Sequence, residues 1–446
     1  MNANWKKTKG ELLATLVSQI RYLLLGGLLS LAAATAAHAQ LIVDCSGTNP
    51  NAYPSINAAM ANSGPGAFIL VSGVCNENVS VFLGNGFWLG AYYGQTATIN
   101  GNVSISNSVS VYMYGLNVTN AYGDGFDVNH SLGVMLDTCT SNGNAGIGLN
   151  VGSGSDVAIF ATGSFDNNGR GGIGVFGNSL VSGIAWAGIL DLSNNGGPGL
   201  AAFQGNFDTY GHTTIANNTF VPGSNSGYGI DMRGGARAQF GTINGPNFVT
   251  GNQSGGASLQ ENSEISFWNG GFANNIQNNG PVGVSAGLGS QVTFFNSALI
   301  TGHTSAGVDL YGNSQAYLFG TNTVQGNGAS SDPRSAGIRV DGNSEAFLRG
   351  GTVTGNVGPG LLVLVNSSAD FSGISFSGNN NIIACDSSST MVSDLAQPNS
   401  TPPAGVLCRT PHGLGGRSIL KTQPVAPDWS SLKAIHDKYA KMATKH

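Results

Sequence analysis

Residues 307–314 read GVDLYGNS, and residues 337–344 read GIRVDGNS. The two segments belong to a longer series in which a glycine followed by an apolar residue recurs every 21 to 30 residues. A period in this range is typical of solenoid proteins. The ten glycines that define the series are Gly125, Gly146, Gly172, Gly199, Gly229, Gly256, Gly283, Gly307, Gly337 and Gly360.

Two further positions keep step with these glycines. An asparagine stands four residues before the glycine in seven repeats, at Asn142, Asn168, Asn195, Asn225, Asn252, Asn279 and Asn356, with His303 and Pro333 in two others. A serine stands seven residues after it in seven repeats, at Ser153, Ser179, Ser263, Ser290, Ser314, Ser344 and Ser367, with Ala236 in another. Asparagine tolerates left-handed backbone, so it suits a turn repeated at every level, and stacked asparagines can bond one another.

Between these markers the apolar residues alternate with polar ones, which is typical of β-strands. Each repeat is therefore predicted to hold a strand after the glycine, a turn at the serine, a second strand, and a variable return with a third strand. Coils of this kind stack at about 4.8 Å in parallel. The two ends of such a column have to be capped.

The N-terminal cap has its own signals. Residues 54–60 (PSINAAM) predict a short helix with Ser55 as N-cap, and residues 67–71 (AFILV) predict the first strand. With the following segment, Glu77-Asn78-Val79-Ser80-Val81, this region resembles the pectate-lyase-like superfamily over about residues 41–385. The repeats and the resemblance predict an all-β fold, a right-handed parallel β-helix with three sheets and about ten or more coils, opened by a short N-terminal helix. A C-terminal helical tail is predicted by the helical spacing of Trp429, Leu432, Ile435, Tyr439 and Met442.

The chain divides into five predicted parts: a signal peptide (1–39), the N-terminal cap and first coils (40–120), the β-helix repeats (121–385), a closing segment (386–408) and a basic tail with a short helix (409–446). Lys6, Lys7 and Lys9 precede an apolar stretch that ends at Ala37-His38-Ala39, which resembles a cleavage site. An uncleaved anchor is the alternative. We expect a secreted protein, in the periplasm, at the cell surface or in the medium, with no membrane span after cleavage.

The amino-acid composition limits the kinds of partner that the protein is expected to bind. Charged residues make up 9% of the 446 and hydrophobic residues 41%, so a large core can be buried. Without the leader the chain keeps 13 basic and 21 acidic residues, a net charge of −8, which argues against nucleic acid. The tail carries seven basic residues and two acidic ones and would either pack on the column or bind a surface. The oligomeric state is left open.

Five cysteines follow the leader, and secretion would allow disulfides. Cys45–Cys75 would bracket the N-terminal cap and Cys385–Cys408 the other end. Cys139 remains, either as a buried free thiol or as a reactive or metal-binding residue. No second cysteine or histidine lies near it at ligand spacing, so neither a metal nor a cofactor is expected.

Period two fixes which side chains of each coil point outward, at the second and fourth positions after each glycine. Asp309, Arg339 and Asp341 lie on adjacent coils with Tyr311, and they could hold or cleave a charged sugar; an ion-pair ladder is the alternative. Phe176 and Phe203 could stack on sugar rings unless a loop covers them. Asp231 and Arg233 face outward too and complete the candidate ligand-binding residues.

Two weaker groups complete the list of candidates. The long returns carry Asp208, Tyr210 and His212 in the coil that begins at Gly199, and Asp332 and Arg334 in the coil that begins at Gly307. The first coil holds a chemically varied cluster that could bind a metal or form an acid–base pair, consisting of Asp124, Asp127, Asn129 and His130.

No catalytic motif supports an assignment to any one enzyme of the superfamily. The Gly-His-Gly and Arg-Ile-Lys of polygalacturonases are absent, no lysine occurs between Lys9 and Lys421 to serve lyase chemistry, and the Asp-Pro-His-Asp run of C5-epimerases is missing. No phosphate loop, dinucleotide fingerprint or zinc spacing appears. The sequence therefore favours a non-catalytic, glycan-binding or cell-surface protein whose partner is an extracellular or cell-wall polysaccharide. The alternatives are a polysaccharide lyase or hydrolase and a surface-displayed adhesin.

Overall fold

A computed structural model describes residues 40–393, apart from positions 94, 96, 185–187, 223–225, 244 and 333. The predicted signal peptide, Asn225, Pro333, Cys408 and the basic tail therefore lie outside the described residues. Within this range no helix is long and apolar enough to cross a membrane.

The described chain is a parallel β-helix in which each complete coil contributes one strand to each of three sheets. Sheet A contains β1 (Gln40–Asp44), β2 (Phe68–Cys75), β4 (Trp88–Ala91), β7 (Tyr112–Tyr114), β10 (Val134–Asp137), β13 (Asp156–Phe160), β16 (Leu180–Ile184), β19 (Asn206–Thr209), β22 (Arg237–Gly241), β25 (Glu264–Trp268), β28 (Gln291–Phe295), β31 (Gln315–Phe319), β34 (Glu345–Arg349), β37 (Ser368–Ser372) and β40 (Thr390–Ser393). Sheet B contains the end of β2, then β5 (Ala97–Asn100), β8 (Leu116–Thr119), β11 (Thr140–Asn142), β14 (Gly163–Ser164), β17 (Ile189–Asp191), β20 (His212–Ala216), β23 (Asn247–Thr250), β26 (Asn274–Gln277), β29 (Ala298–Thr301), β32 (Thr323–Gln325), β35 (Thr352–Thr354) and β38 (Ser375–Ser377). Sheet C contains β3 (Val79–Phe82), β6 (Val103–Ser106), β9 (Phe126–Asn129), β12 (Ile147–Gly152), β15 (Gly171–Phe176), β18 (Leu200–Phe203), β21 (Tyr228–Arg233), β24 (Gly255–Leu259), β27 (Val282–Ala286), β30 (Ala306–Leu310), β33 (Ala336–Val340), β36 (Pro359–Val363) and β39 (Asn381–Cys385).

Each strand pairs in parallel with its counterpart in the next coil. In sheet C, for example, Asp309 lies opposite Arg339 and Val308 opposite Ile338. Because β2 runs through sheets A and B, these two form one hydrogen-bonded sheet of 27 strands, and the 13 strands of sheet C form another. The predicted parallel β-helix, with its three strands per coil, is confirmed.

The core is built from stacked side chains of like kind. Phe240, Phe267 and Phe294 occupy the same inward position of sheet A in three successive coils, and none is more than 1% exposed. Their ring centroids are 5.4 and 5.1 Å apart, so the rings stack along the column. Register between coils thus places identical residues in contact.

The repeated glycines form a column in which no side chain fits. A Cβ added to Gly283 would lie 2.5 Å from the carbonyl oxygen of Gly307, and one added to Gly307 would lie 2.7 Å from that of Gly337. In the second repeat the member of this column is Gly148, not Gly146, because Gly148 is the residue whose Cβ would meet the carbonyl oxygen of Gly172. The predicted series was therefore wrong by two residues in that repeat alone.

The asparagine stack exists and is continuous over most of the column. Each side-chain Oδ1 accepts the backbone N–H of the ladder residue one coil before, and seven Nδ2 groups donate to the next Oδ1, as from Asn252 to Asn279 at 2.8 Å. The members are Asn144, Asn168, Asn195, Asn218, Asn252, Asn279, His303, Asn327, Asn356 and Asn379. The residue before each has a positive φ and is asparagine or glycine, as left-handed backbone requires.

Three predicted positions in this stack were wrong, for two reasons. Asn142 is replaced by Asn144 because of the shift at Gly148. Asn218 and Asn327 take the places predicted for Asn225 and Pro333, because long connections separate these asparagines from the next strand of sheet C. Insertions therefore enter between the asparagine and the glycine.

A serine stack marks the corner between sheets C and A. The hydroxyl of Ser344 accepts the backbone N–H of Ser314, and the hydroxyl of Ser367 accepts that of Ser344. Ser155, rather than Ser153, is the member in the second repeat, where its hydroxyl accepts from the backbone of Ser131. The shift again follows from the position of Gly148.

The N-terminal cap is largely as predicted. Helix α1 spans Ile56–Ala61, and the Ser55 hydroxyl accepts the N–H of Ala58 at 3.0 Å. The Glu77 carboxylate accepts the N–H groups of Ile56 and Asn57, which fixes the helix start to the first coil. The predicted first strand is the second one, because β1 (Gln40–Asp44) precedes it and pairs with it in parallel.

The cysteines of the described region have two fates. Cys45 and Cys75 form the predicted disulfide at the N-terminal cap. Cys385 is also disulfide-bonded, whereas its predicted partner lies outside the described residues. Cys139 is a free, fully buried thiol whose burial raises its pKa to about 12, so the interpretation of a buried free thiol is confirmed.

Two partly buried carboxyl groups lie on the outward side of sheet A. Asp208 belongs to β19 and not to a loop as its position in a long repeat had indicated. Burial raises its pKa from 3.8 to about 6, and burial does the same for Asp156 on β13. The folded chain therefore holds these protons more tightly than the unfolded chain does.

We expect stability to fall as the pH rises from about 4 to about 6, because the folded state binds more protons there than the unfolded state. A pKa raised from 3.8 to about 6 corresponds to up to about 3 kcal/mol. Asp208→Asn should therefore raise the free energy of unfolding at pH 8 and change it little at pH 4, as urea unfolding would show. Asp156→Asn should behave alike, and an equal gain at both pH values would contradict the assignment.

Candidate functional site

The outward face of sheet C carries two columns of side chains over seven successive coils. The strands of these coils are β15, β18, β21, β24, β27, β30 and β33. The outer column contains Phe176, Phe203, Arg233, Gln260, Gly287, Tyr311 and Asp341. The inner column contains Gly174, Ala201, Asp231, Ser258, Ser285, Asp309 and Arg339. These fourteen residues are called the sheet C site below.

Asp309 and Arg339 form a buried ion pair at one end of this site. The Arg339 Nε lies 2.8 Å from the Asp309 Oδ1, and each residue is only 8% exposed. Burial raises the pKa of Asp309, while the positive charges of Arg339 and Arg334 oppose that effect. The sequence predicted the adjacency of the two residues, and the geometry is that of an ion-pair ladder.

A second carboxylate is neutralised three coils earlier. The Asp231 carboxylate accepts the Nε and Nη2 of Arg233 at 3.2 and 3.0 Å, together with the hydroxyl of Ser226 at 2.9 Å. Asp231 is 4% exposed, whereas the Arg233 side chain is 48% exposed. The carboxylate thus orients a guanidinium whose other face meets solvent.

The rings of two tyrosines lie along the column axis, and each passes over a glycine of a neighbouring coil. The Tyr311 ring covers Gly287, where an added Cβ would clash with it, and its hydroxyl accepts the Gln260 Nε2 at 2.6 Å. The Tyr228 ring covers Gly255 in the same way. Glycine is required at these two positions because the ring lies too close to the backbone for a Cβ atom to fit. The backbone there sends no side chain into the site.

The two phenylalanines differ in exposure. Phe176 and Phe203 are register partners in β15 and β18. The Phe203 side chain packs beside Gly234 and is 45% exposed, and Phe176 is partly buried over Gly174. Phe203 therefore offers an accessible aromatic surface next to Arg233.

Long connections from sheet B to sheet C stand at both ends of the polar part of the site. Residues 217–227 precede β21 and residues 326–335 precede β33, whereas four residues suffice before β24, β27 and β30. Asp332 and Arg334, which the sequence placed in a long return, form an ion pair in the second connection at 3.7 Å, with the arginine exposed and the aspartate partly buried. At about 4.8 Å per coil, the four steps between β21 and β33 span roughly 19 Å. Ser258 and Ser285 lie between these ends.

Sequence reasoning missed Tyr228 and Ser226. Tyr228 and Ile230 lie two residues apart, so strict alternation would place both side chains in the core. Ile230 is fully buried but Tyr228 is only partly buried, because the alternation breaks at Gly229. A tyrosine directly before a column glycine is the signal that could have identified it. Ser226 belongs to the inserted connection, for which the repeat pattern predicts nothing.

The other candidate groups do not assemble into a site in the described residues. Asp124 accepts the N–H of Ile147, Asp127 accepts from Asn129 and Asn150, and His130 occupies a turn with φ of 50°. His212 lies in β20 beside Phe248 rather than in a loop. The one cluster of metal-ligand type in the described range is Cys45, Cys75 and Glu77, whose cysteines are joined by the disulfide.

Comparisons with known proteins give only distant structural likenesses. No family model and no curated protein match the sequence. Among solved structures, the chain is similar to the A-module of the Azotobacter vinelandii mannuronan C-5 epimerase AlgE4, at 14% identity over 78% of this chain and 93% of that one, with a TM-score of 0.42. The A-module of the mannuronan C-5 epimerase AlgE6 from the same organism is 16% identical over 77% of this chain and 94% of that one, with a TM-score of 0.38. A family 28 exopolygalacturonase from Yersinia enterocolitica is 11% identical over 80% of this chain and 78% of that one, with a TM-score of 0.24. At such identities no residue of this chain acquires a role from these proteins.

Proposed function

We propose that this protein is secreted and binds an extended polysaccharide along the sheet C site without cleaving it. The observation that carries the proposal is the outer column, where an aromatic ring, a guanidinium and a carboxamide follow one another at the spacing of the coils and a phenol stands two coils further on. A sugar chain offers apolar ring faces and hydroxyl groups in alternation. Aromatic side chains suit the ring faces, and groups fixed by their own hydrogen bonds suit the hydroxyls.

The charges of the site favour binding over hydrolysis. The two inner carboxylates, Asp231 and Asp309, each contact an arginine. They stand three coils apart, which is roughly 14 Å at 4.8 Å per coil. Glycoside hydrolases hold their two carboxyl groups about 5 to 10 Å apart. This pair is therefore too widely separated to act on one glycosidic bond.

Cleavage by Asp309 and Asp341 is the second candidate function, and one observation favours it. Burial raises the pKa of Asp309 and the nearby Asp341 adds to that effect, as a general acid would require, although Arg339 and Arg334 oppose it. Incubation with acidic and neutral polysaccharides, followed by assays for reducing ends and unsaturated products, distinguishes cleavage from binding. Product formation that disappears in Asp309→Asn/Asp341→Asn would replace the binding proposal.

Removal of the two phenylalanines tests the binding proposal. Phe176→Ala/Phe203→Ala should weaken polysaccharide binding in affinity electrophoresis by at least about tenfold, or ~1.4 kcal/mol, because it removes the apolar platform. Phe82→Ala is the matched control, since Phe82 is 62% exposed on β3 of the same sheet and lies outside the site. Equal losses in both variants, or no binding to any polysaccharide, would refute the proposal.

A further inference from the structure

The outward face of sheet B is a second regular surface, and the sheet C site does not use it. Two outward columns run side by side through β23, β26, β29, β32, β35 and β38, with each residue paired to its counterpart in the next coil. We call it the sheet B polar face, and its side chains are Phe248, Thr250, Asn275, Gln277, Leu299, Thr301, Thr323, Gln325, Thr352, Thr354, Ser375 and Ser377.

The sheet B polar face is uncharged although the other faces of the same coils are not. Ten of its twelve side chains carry a hydroxyl or a carboxamide, and the other two are apolar. Charged residues of these coils instead lie outward on sheets A and C, as Glu264, Glu345, Arg349, Asp309 and Arg339 do. None of the twelve positions carries a charged side chain.

The array also repeats in two directions. Neighbouring side chains in a column are about 4.8 Å apart, and the two columns, two residues apart along each strand, are separated by about 6.6 Å. Only two to five residues connect the sheet A strands to these sheet B strands in the coils from β25 to β38. A ligand that complements the whole face must itself be extended and periodic.

We infer that the sheet B polar face binds the surface of ice. Hydroxyl and carboxamide groups both donate and accept hydrogen bonds, as each water of the ice lattice does. The lattice repeats of hexagonal ice are comparable to the two intervals of the array, and no charged group on the face holds a competing hydration shell. The methyl groups of Thr301, Thr352 and Thr354 supply apolar surface between the hydroxyls. A crystalline polysaccharide fits less well, since Phe248 is the only aromatic ring in the twelve positions.

Partition of the purified full-length chain into slowly growing ice, together with inhibition of ice recrystallisation, tests this inference. The wild type should be enriched in the ice fraction relative to a dissolved inert protein. Thr301→Lys/Thr354→Lys should lose that enrichment, because each lysine brings a charge and its bound water into the array. Thr304→Lys is the matched control, since Thr304 is exposed in the same coil as Thr301 but lies in the turn after β29.

The outcomes are separable from those of the sheet C site. Enrichment that survives in Thr304→Lys and is lost in the double variant supports the inference, with polysaccharide binding unchanged in both. Absence of enrichment in the wild type would overturn it. Wild-type protein that sediments with crystalline cellulose or chitin, but is not enriched in ice, would overturn it as well. Far-ultraviolet dichroism of each variant confirms that the column remains folded.

Discussion

Phe267→Ala should lower the free energy of unfolding by about 4–5 kcal/mol, at the upper end of the range for phenylalanine truncation in a core. Phe267 is 1% exposed and stacks between Phe240 and Phe294, so its removal leaves a cavity with a ring on each side. The two stacked contacts add about 0.5–1.5 kcal/mol each beyond burial. The neighbouring coils are fixed in register by the sheets and cannot collapse into the space.

Urea unfolding followed by far-ultraviolet dichroism measures this loss, and tryptophan fluorescence, to which the adjacent Trp268 contributes, gives a second probe. Two probes are needed because a repeat array can lose its structure in parts. Phe82→Ala serves as control, since Phe82 is 62% exposed and its truncation should cost no more than about 0.5 kcal/mol. Comparable losses in the two variants would mean that the stacked rings contribute nothing specific.

Asn252→Ala should cost about 3–5 kcal/mol, although the side chain is smaller than phenylalanine. Its Oδ1 accepts from the backbone and side chain of Asn218 at 3.1 and 2.9 Å, and its Nδ2 donates to Ile215 and Asn279 at 3.0 and 2.8 Å. Each buried group left without a partner costs about 1–3 kcal/mol. The truncation leaves several such groups in a place that is 1% exposed.

The matched control for this experiment is Asn275→Ala. Asn275 is the same residue type one coil later, but it lies on the partly exposed outward side of sheet B. Water can replace the lost hydrogen bonds there, so the change should be within about 0.5 kcal/mol. If the melting temperatures of the two variants fall by similar amounts, the ladder is not the source of stability that the geometry indicates.

The sequence predicted the coil well because the backbone of each coil determines which residues can occupy the marker positions. The glycine column, the asparagine ladder and the serine stack each depend on contacts with the identical position of the next coil, so they recur at a readable period. The errors occurred where the spacing of residues in the sequence no longer matches their positions in the coil. Two glycines in the segment Gly146-Ile147-Gly148-Leu149 fit the pattern equally well, and the connections before β21 and β33 moved the ladder residues Asn218 and Asn327 away from their expected spacing.

The candidate site was predictable as a surface but not as a set of contacts. Period two placed Asp231, Arg233, Asp309, Tyr311 and Arg339 on the outward face, and Asp309 and Arg339 in adjacent coils. It could not show that the tyrosine ring runs along the column to Gln260, because the direction of a side chain across a glycine depends on its rotamer and on its neighbours. The pairing of each carboxylate with an arginine likewise depends on geometry.

Between Asn144 and Asn379 the ladder joins most coils to the next by the same few bonds, and this has a bearing on how such a chain can change in evolution. An in-frame duplication or loss of one entire coil would preserve all the joints, because the new neighbours present the same groups at the same height. Length is therefore a quantity that can drift in small, whole steps without a redesign of the interior. A gain or loss of residues within a coil has no such freedom, except at the corners after the asparagine and between sheets A and B, where the connections differ in length.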